Sequence, residues 1–233
     1  MEVSLNQGVT QSTGSASYID RLNEKRDKEE EKLASGKRIN GAADDAAGLQ
    51  IAERLTSQIN NDVQLANNNQ DQININNVQD GQLSAIQEGL ARANTLSVQS
   101  GNPLADQSAI QAEFNQIAEQ VNTVAGEALG DANFLSGLNA ADPQATQAAL
   151  ENAYNQLAET SSSLGAQNNS LSSQVSTYQT AVVNVSSSRS NIQDSDYSQT
   201  STQQQQAGVQ LQASVINAKD EEARKGLLVN QLV

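Results

Sequence analysis

From Leu150 to Ile192 the chain marks time in steps of four and three. The series runs Leu150, Tyr154, Leu157, Ser161, Leu164, Asn168, Leu171, Val175, Tyr178, Val182, Val185, Arg189 and Ile192. A 3.5-residue repeat held this long predicts one helix packed along its length against others. Ser161, Asn168 and Arg189 interrupt the apolar series, and polar residues in such a seam fix register at some cost in stability. As a helix, residues 147–192 would extend roughly 70 Å at about 1.5 Å per residue. A second seam, with the same steps, is Ile110, Phe114, Ile117, Val121, Val124 and Ala128. Asn102-Pro103 is expected to open it, as a polar cap followed by a proline whose missing N–H costs nothing there. A third seam is Leu83, Ile86, Leu90, Ala93 and Leu96, and upstream Ile51, Leu55 and Ile59 share one face.

The Asn-rich stretch 67–80 between these last two groups contains neither Pro nor Gly, so residues 44–99 read as one long helix, weakened at Gly81. The segment 129–144, LGDANFLSGLNAADPQ, has turn punctuation and is too short for a domain. The pattern therefore predicts an all-α fold, an elongated rod of three long helices packed like a coiled coil. The ends differ. Residues 1–18 are polar, residues 21–32 are a charged run of the kind that usually forms a solvated helical face, and the last thirty or so residues are helix-compatible but weakly periodic. A lone helix of that kind is marginal in water, so both ends are expected to need a partner.

Composition sharpens this picture by exclusion. The chain has 233 residues, 27 acidic and 13 basic, for a net charge of −14. Nucleic-acid affinity comes mostly from basic side chains neutralising phosphates, and anionic lipid attracts the same residues, so neither is an expected partner. The apolar fraction of 36% is below the roughly 45–50% of compact domains, which suits helices that need only a narrow seam. There is no Cys and no His, which removes thiolate ligands, disulfides, the commonest general base and any Ser-His-Asp arrangement. The Asp pairs 44/45 and 194/196 fall short of the roughly six to eight oxygens of a calcium site. No phosphate-binding glycine motif occurs. The start of the chain lacks the basic-then-apolar pattern of a cleaved signal, and no apolar run is long enough to cross a membrane. An enzyme with a cofactor or metal is not expected.

Residues 33–55, LASGKRINGAADDAAGLQIAERL, place a Gly-, Ala- and Asp-rich break between two helical patterns. Their SGKRINGAADDAAGLQIAERL closely resembles the N-terminal signature of bacterial flagellin. LSVQS (96–100), IQAEFNQIAEQVN (110–122), LGAQNNSL (164–171), SRSNIQDSDYS (188–198) and QQAG (205–208) continue the resemblance in the order flagellins use. It implies a filament subunit whose N- and C-terminal helices pair in the filament core. The implied division is an inner-core segment 1–35, a spoke 36–43, a rod 44–193 with a short 129–146 connection in place of an outer variable domain, and a second inner-core segment 194–233. Homopolymerisation through both ends, a flagellar export apparatus with its secretion chaperone, and an extracellular location follow from the same resemblance. A hook–filament junction protein and a non-polymerising secreted helical protein are the alternatives.

Candidate subunit contacts on this reading are Arg38, Asn40, Asp44, Asp45, Leu227, Leu228 and Leu232. Asp44 and Asp45 equally suit a helix cap, beside the positive end of the helix that follows. Flagellins recognised by a Toll-like innate receptor present an Arg, a Leu four residues on and a Glu on the neighbouring helix, which match Arg92, Leu96 and Glu113. The alternative is that Arg92 and Glu113 are ordinary surface charges and Leu96 packs internally. The chain departs from the family in carrying Arg26, Glu29 and Glu30 before the SG motif and DEEARKG at 220–226. Pairing of Lys25, Arg26 and Lys28 with Asp220, Glu221 and Glu222 would account for both.

Overall fold

A computed structural model of the chain describes the backbone of residues 3–230 and the side chains of residues 16–224. Among these it contains five helices and no strand: α1 (Val3–Ser35), α2 (Ala42–Ser100), α3 (Gln107–Leu129), α4 (Pro143–Gln193) and α5 (Tyr197–Asn230). The all-α expectation holds. The expected 44–99 helix is continuous only after Asp45, whose extended backbone kinks α2 near its start; beyond it the Asn-rich stretch and Gly81 do not break the helix.

Capping chemistry sets the boundaries. Helix α3 begins later than Asn102-Pro103 suggested. Asp106 is its N-cap, with its carboxylate accepting from the N–H groups of Ser108 and Ala109, two of the donors a helix start leaves unpaired. Asn102 caps a tight turn instead, its side-chain oxygen accepting from Leu104 N–H at 3.0 Å. Helix α3 closes on Gly130, whose φ of +73° is the left-handed conformation favoured just past a helix end. Asp142 accepts from Ala145 N–H at 3.0 Å and precedes Pro143, the first residue of α4.

The chain forms two compact units, residues 1–60 with 183–233, and residues 61–182. The 61–182 unit holds the larger core. Leu83, Ile86, Leu90 and Ala93 of α2 join Ile110, Phe114, Ile117 and Val121 of α3 and Leu150, Ala153, Leu157 and Leu164 of α4. These are the α2 and α3 seams read from the sequence and the Leu150–Leu164 part of the α4 seam, which from Leu171 on is only half-buried. The connection between α3 and α4 is more than a turn, because it adds Phe134, Leu135, Leu138 and Ala140 to that core. Side-chain amides hold it there. Asn122 exchanges two hydrogen bonds with the backbone of Leu135 at 2.7 and 3.0 Å, and Gln111 bonds Leu138 and Ala140 at 3.1 and 2.9 Å. A buried loop must have its backbone groups satisfied, and here the helix side chains do it.

Beyond Leu83 towards residue 61 the seam turns polar. Asp62, Asn69 and Asn76 recur every seventh residue along α2. Asn76 is 2% exposed and donates to Asn168 of α4 at 2.8 Å, while Asn69 donates to Gln174 at 3.2 Å. Asp62 is 8% exposed and has a carboxylate oxygen without a partner. A buried acceptor left unpaired costs about 1–3 kcal/mol. Replacing it, Asp62→Leu, is therefore expected to raise thermal and chemical unfolding midpoints, by an amount in that range. Unchanged midpoints in calorimetry and urea titration would show that the site is already relaxed by solvent.

Candidate functional site

The break at residues 36–48 is built chiefly from main-chain contacts. Gly36 adopts φ +68°, which lets the chain leave α1 at no Cβ cost. Its carbonyl accepts from Ser195 N–H at 2.9 Å, and Arg38 N–H donates to Gln193 O at 2.6 Å. Lys37 and Asp194 thereby form an isolated antiparallel bridge. The Arg38 guanidinium donates to the carbonyl of Ile192, and Gln193 Nε2 returns a bond to Ile39 O at 3.3 Å. Ile39, with no exposed surface, is the apolar plug of this knot. The end of α1, the start of α2, the end of α4 and the start of α5 are thus tied at one place.

The two aspartates of DDAAG have separate tasks. Asp45 lies at φ −162°, ψ 97°, extended rather than helical, so it is the N-cap of the helix proper. Its Oδ1 accepts from Gly48 N–H at 2.9 Å. A Cβ at residue 48 would come within 2.4 Å of Asp45 Oδ2 and 2.7 Å of Ile39 Cδ1, so any larger residue would have to displace the cap and the plug. Asp44 points back instead. Its Oδ2 accepts from the N–H groups of Asn40 at 2.9 Å and Gly41 at 3.1 Å. These two bonds first, and then the charges of Lys32 and Lys28, hold the Asp44 carboxyl below the ordinary carboxylate range. Asn40 Nδ2 reaches Lys37 O at 3.4 Å. Arg38, Asn40, Asp44 and Asp45 are therefore brought together within one turn, and the hydrogen bonds they make fold that turn.

The chain ends form a second surface. Helices α1 and α5 leave the knot packed on each other. The inward residues of α1 step three and four: Ile19, Leu22, Arg26, Glu29 and Leu33. Those of α5 do the same, through Thr200, Gln204, Ala207, Leu211, Ser214, Ala218 and Glu221. Most are small or polar, so the repeat escapes a count of large apolar residues. The acid–base pairing of the two ends is not observed. Among the described residues, the ion pairs of α1 lie within α1, from Arg26 to Asp27 at 2.8 Å and from Lys32 to Glu29 at 3.0 Å. The reason is position. From the knot, Lys28 lies about two turns down α1, whereas Asp220 lies about six turns along α5. Glu29 is instead buried at 7% exposure with one oxygen unpartnered. Opposite it, residues 197–218 of α5 contain no charge.

That uncharged stretch also has an outward face. Val209 and Ile216, seven residues apart, are 66% and 62% exposed, and Tyr197 is 69% exposed. Leu227 and Leu228 have side chains outside the described residues, and Leu232 lies wholly outside them. In the 61–182 unit, Arg92 and Glu113 meet across α2 and α3 at 2.8 Å on the surface, while Leu96 is 7% exposed within the core. No group of three or more His, Cys, Asp or Glu able to hold a metal occurs among the described residues, and no helix among them is long and apolar enough to cross a membrane.

Since the Asp44 carboxyl ionises below the usual range, its contribution to the turn is complete above the unfolded-state value of about 3.9 and is lost as pH falls through the lower folded one. Amide exchange or NMR shifts of Asn40 and Gly41 are expected to report opening on acidification, and Asp44→Asn is expected to abolish that pH response. A turn that opens identically in both proteins would contradict this assignment.

Comparison with known proteins accords with this geometry. Residues 9–140 match the family model of the bacterial flagellin N-terminal helical region, and residues 147–218 match that of the C-terminal helical region. A flagellin of Clostridium tyrobutyricum is 42% identical over 98 residues, covering 41% of this chain and 26% of its own. A flagellin of Halalkalibacterium halodurans is 38% identical over 97 residues, covering 40% and 36%. The flagellar filament 41 kDa core protein of Borreliella burgdorferi is 35% identical over 104 residues, covering 43% and 31%. The chain thus spans well under half the length of these relatives.

Proposed function

Given that this chain belongs to the bacterial flagellin family, we propose that it is a structural subunit that polymerises into an extracellular flagellar filament, with both chain ends in the polymer's core. The observation that carries this reading is the α1–α5 pair. Over their described side chains, two long terminal helices with a small-residue seam and an outward Val209/Ile216 stripe bury too little apolar surface in one chain to offset the entropy of ordering them. Stacking against further copies supplies that burial. The knot at 36–39 and 193–195 sets both helices off from one point, which suits a spoke between a core layer and the layer outside it. Delivery through a flagellar export apparatus with a secretion chaperone belongs to the same proposal. A hook–filament junction role would use the same ends and is the second choice, because the full SGKRIN…DDAAG signature is the filament subunit's. Contact with a Toll-like innate receptor would rest on the exposed Arg92–Glu113 pair, with Leu96 acting only from within the core.

Electron microscopy of purified protein brought to polymerising conditions is expected to show long tubes of uniform diameter. Val209→Asp with Ile216→Asp is expected to abolish tubes while leaving helix content and the unfolding of residues 61–182 unchanged. Tubes of normal length from that double variant, or a monodisperse wild-type monomer under every condition, would refute the proposal.

A further inference from the structure

Asn followed by Gly occurs once in the chain, at Asn40–Gly41, in the turn that Asp44 organises. Such a pair is chemically labile. The Gly main-chain nitrogen can attack the Asn side-chain carbonyl carbon, because glycine has no Cβ to obstruct the approach. A five-membered succinimide forms as the C–N bond to the side-chain amide breaks and ammonia leaves. Water then opens the ring at either carbonyl, giving aspartate or isoaspartate at position 40. No oxidant or enzyme is needed.

Three observations single this pair out. The fold does not require glycine at 41, whose φ is outside the left-handed region and around which a Cβ would meet nothing within 4 Å. Both residues are half-buried, within reach of water. And the attacking nitrogen is held: its N–H is committed to Asp44 Oδ2 at 3.1 Å, while the Asn40 amide is drawn back towards Lys37 O. We infer that Asn40–Gly41 is a spontaneous deamidation site in the spoke, kept closed by the Asp44 carboxylate. Once Asn40 is converted, a second negative charge stands beside Asp44, and the isoaspartate form also adds a methylene to the main chain of the turn. Either product weakens the bonds from residues 40 and 41 to Asp44, so the change perpetuates its own opening.

The test is peptide mass spectrometry of the full chain, incubated in warm, mildly alkaline buffer, following the exchange of NH₂ for OH at residue 40 and the isoaspartate fraction. Asp44→Ala is expected to convert several-fold faster than wild type. Asp45→Ala, which removes the neighbouring cap without touching the Gly41 N–H, is expected to convert at the wild-type rate. Gly41→Ala is expected to slow conversion strongly, because the added Cβ hinders the approach of the nitrogen. In denaturant, wild type and Asp44→Ala are expected to convert alike, since the gate is structural. Equal rates for folded wild type and Asp44→Ala would overturn the inference. So would equal acceleration by Asp44→Ala and Asp45→Ala, which would mean general loosening, and so would dominant conversion at another Asn.

Discussion

The hydrogen bonds between residues 36–39 and 193–195 are the constraint on which the terminal unit depends. They are made mainly by backbone groups, in a segment where four helix ends meet, and the same few atoms turn α1 into α2 and α4 into α5. An unpaired backbone group buried here would cost as much as a lost hydrogen bond, so pairing the two strand-like segments with each other settles both helix breaks together. Ile39 then closes the knot from within, and Gly48 is the clearance its side chain needs. The helices that depart from it inherit their direction and their offset from this tie, which is why Lys28 and Asp220 cannot meet.

Much of the helical scaffold was legible, because large apolar residues at fixed steps leave few other arrangements. Leu150, Leu157 and Leu164 of the long series and the seams of α2 and α3 reappear in the core, while the series from Leu171 to Ile192 is only half-buried. What escaped notice did so for physical reasons. The inward face of α5 is made of Thr200, Ala207, Ser214 and Ala218, which pack well but carry little hydrophobic signal. The start of α3 was misplaced because Asn102 and Pro103 are the right residue types, yet the carboxylate that reaches the free N–H groups belongs to Asp106. The break at residues 36–48 was visible in its composition, but its hydrogen bonds were not, since backbone atoms look the same at every position. The pairing of opposite charges across the ends failed because charge complementarity says nothing about distance along two helices.

The site residues show the same division. Asp44 and Asp45 look like one acidic pair in sequence. In the fold one caps a helix and the other holds the turn that precedes it, and each commits one carboxylate oxygen within the chain. Arg38 likewise donates to its own backbone. These residues shape the turn through contacts within the chain. In the 61–182 unit the same economy appears at the Arg92–Glu113 pair, where two exposed charges satisfy each other and Leu96 is withdrawn beneath them.

The polar rungs of α2 carry a mechanical consequence. Asp62, Asn69 and Asn76 stand one heptad apart, and Asn76 is matched to Asn168 across the seam. Small slips between α2 and α4 would strand buried amides with nothing to bond, whereas a slip of seven residues, about 10 Å of travel, would bring Asn69 to where Asn76 had been. Such an interface behaves as a detent: stiff against gradual shear, with discrete stops set by the spacing of its amides.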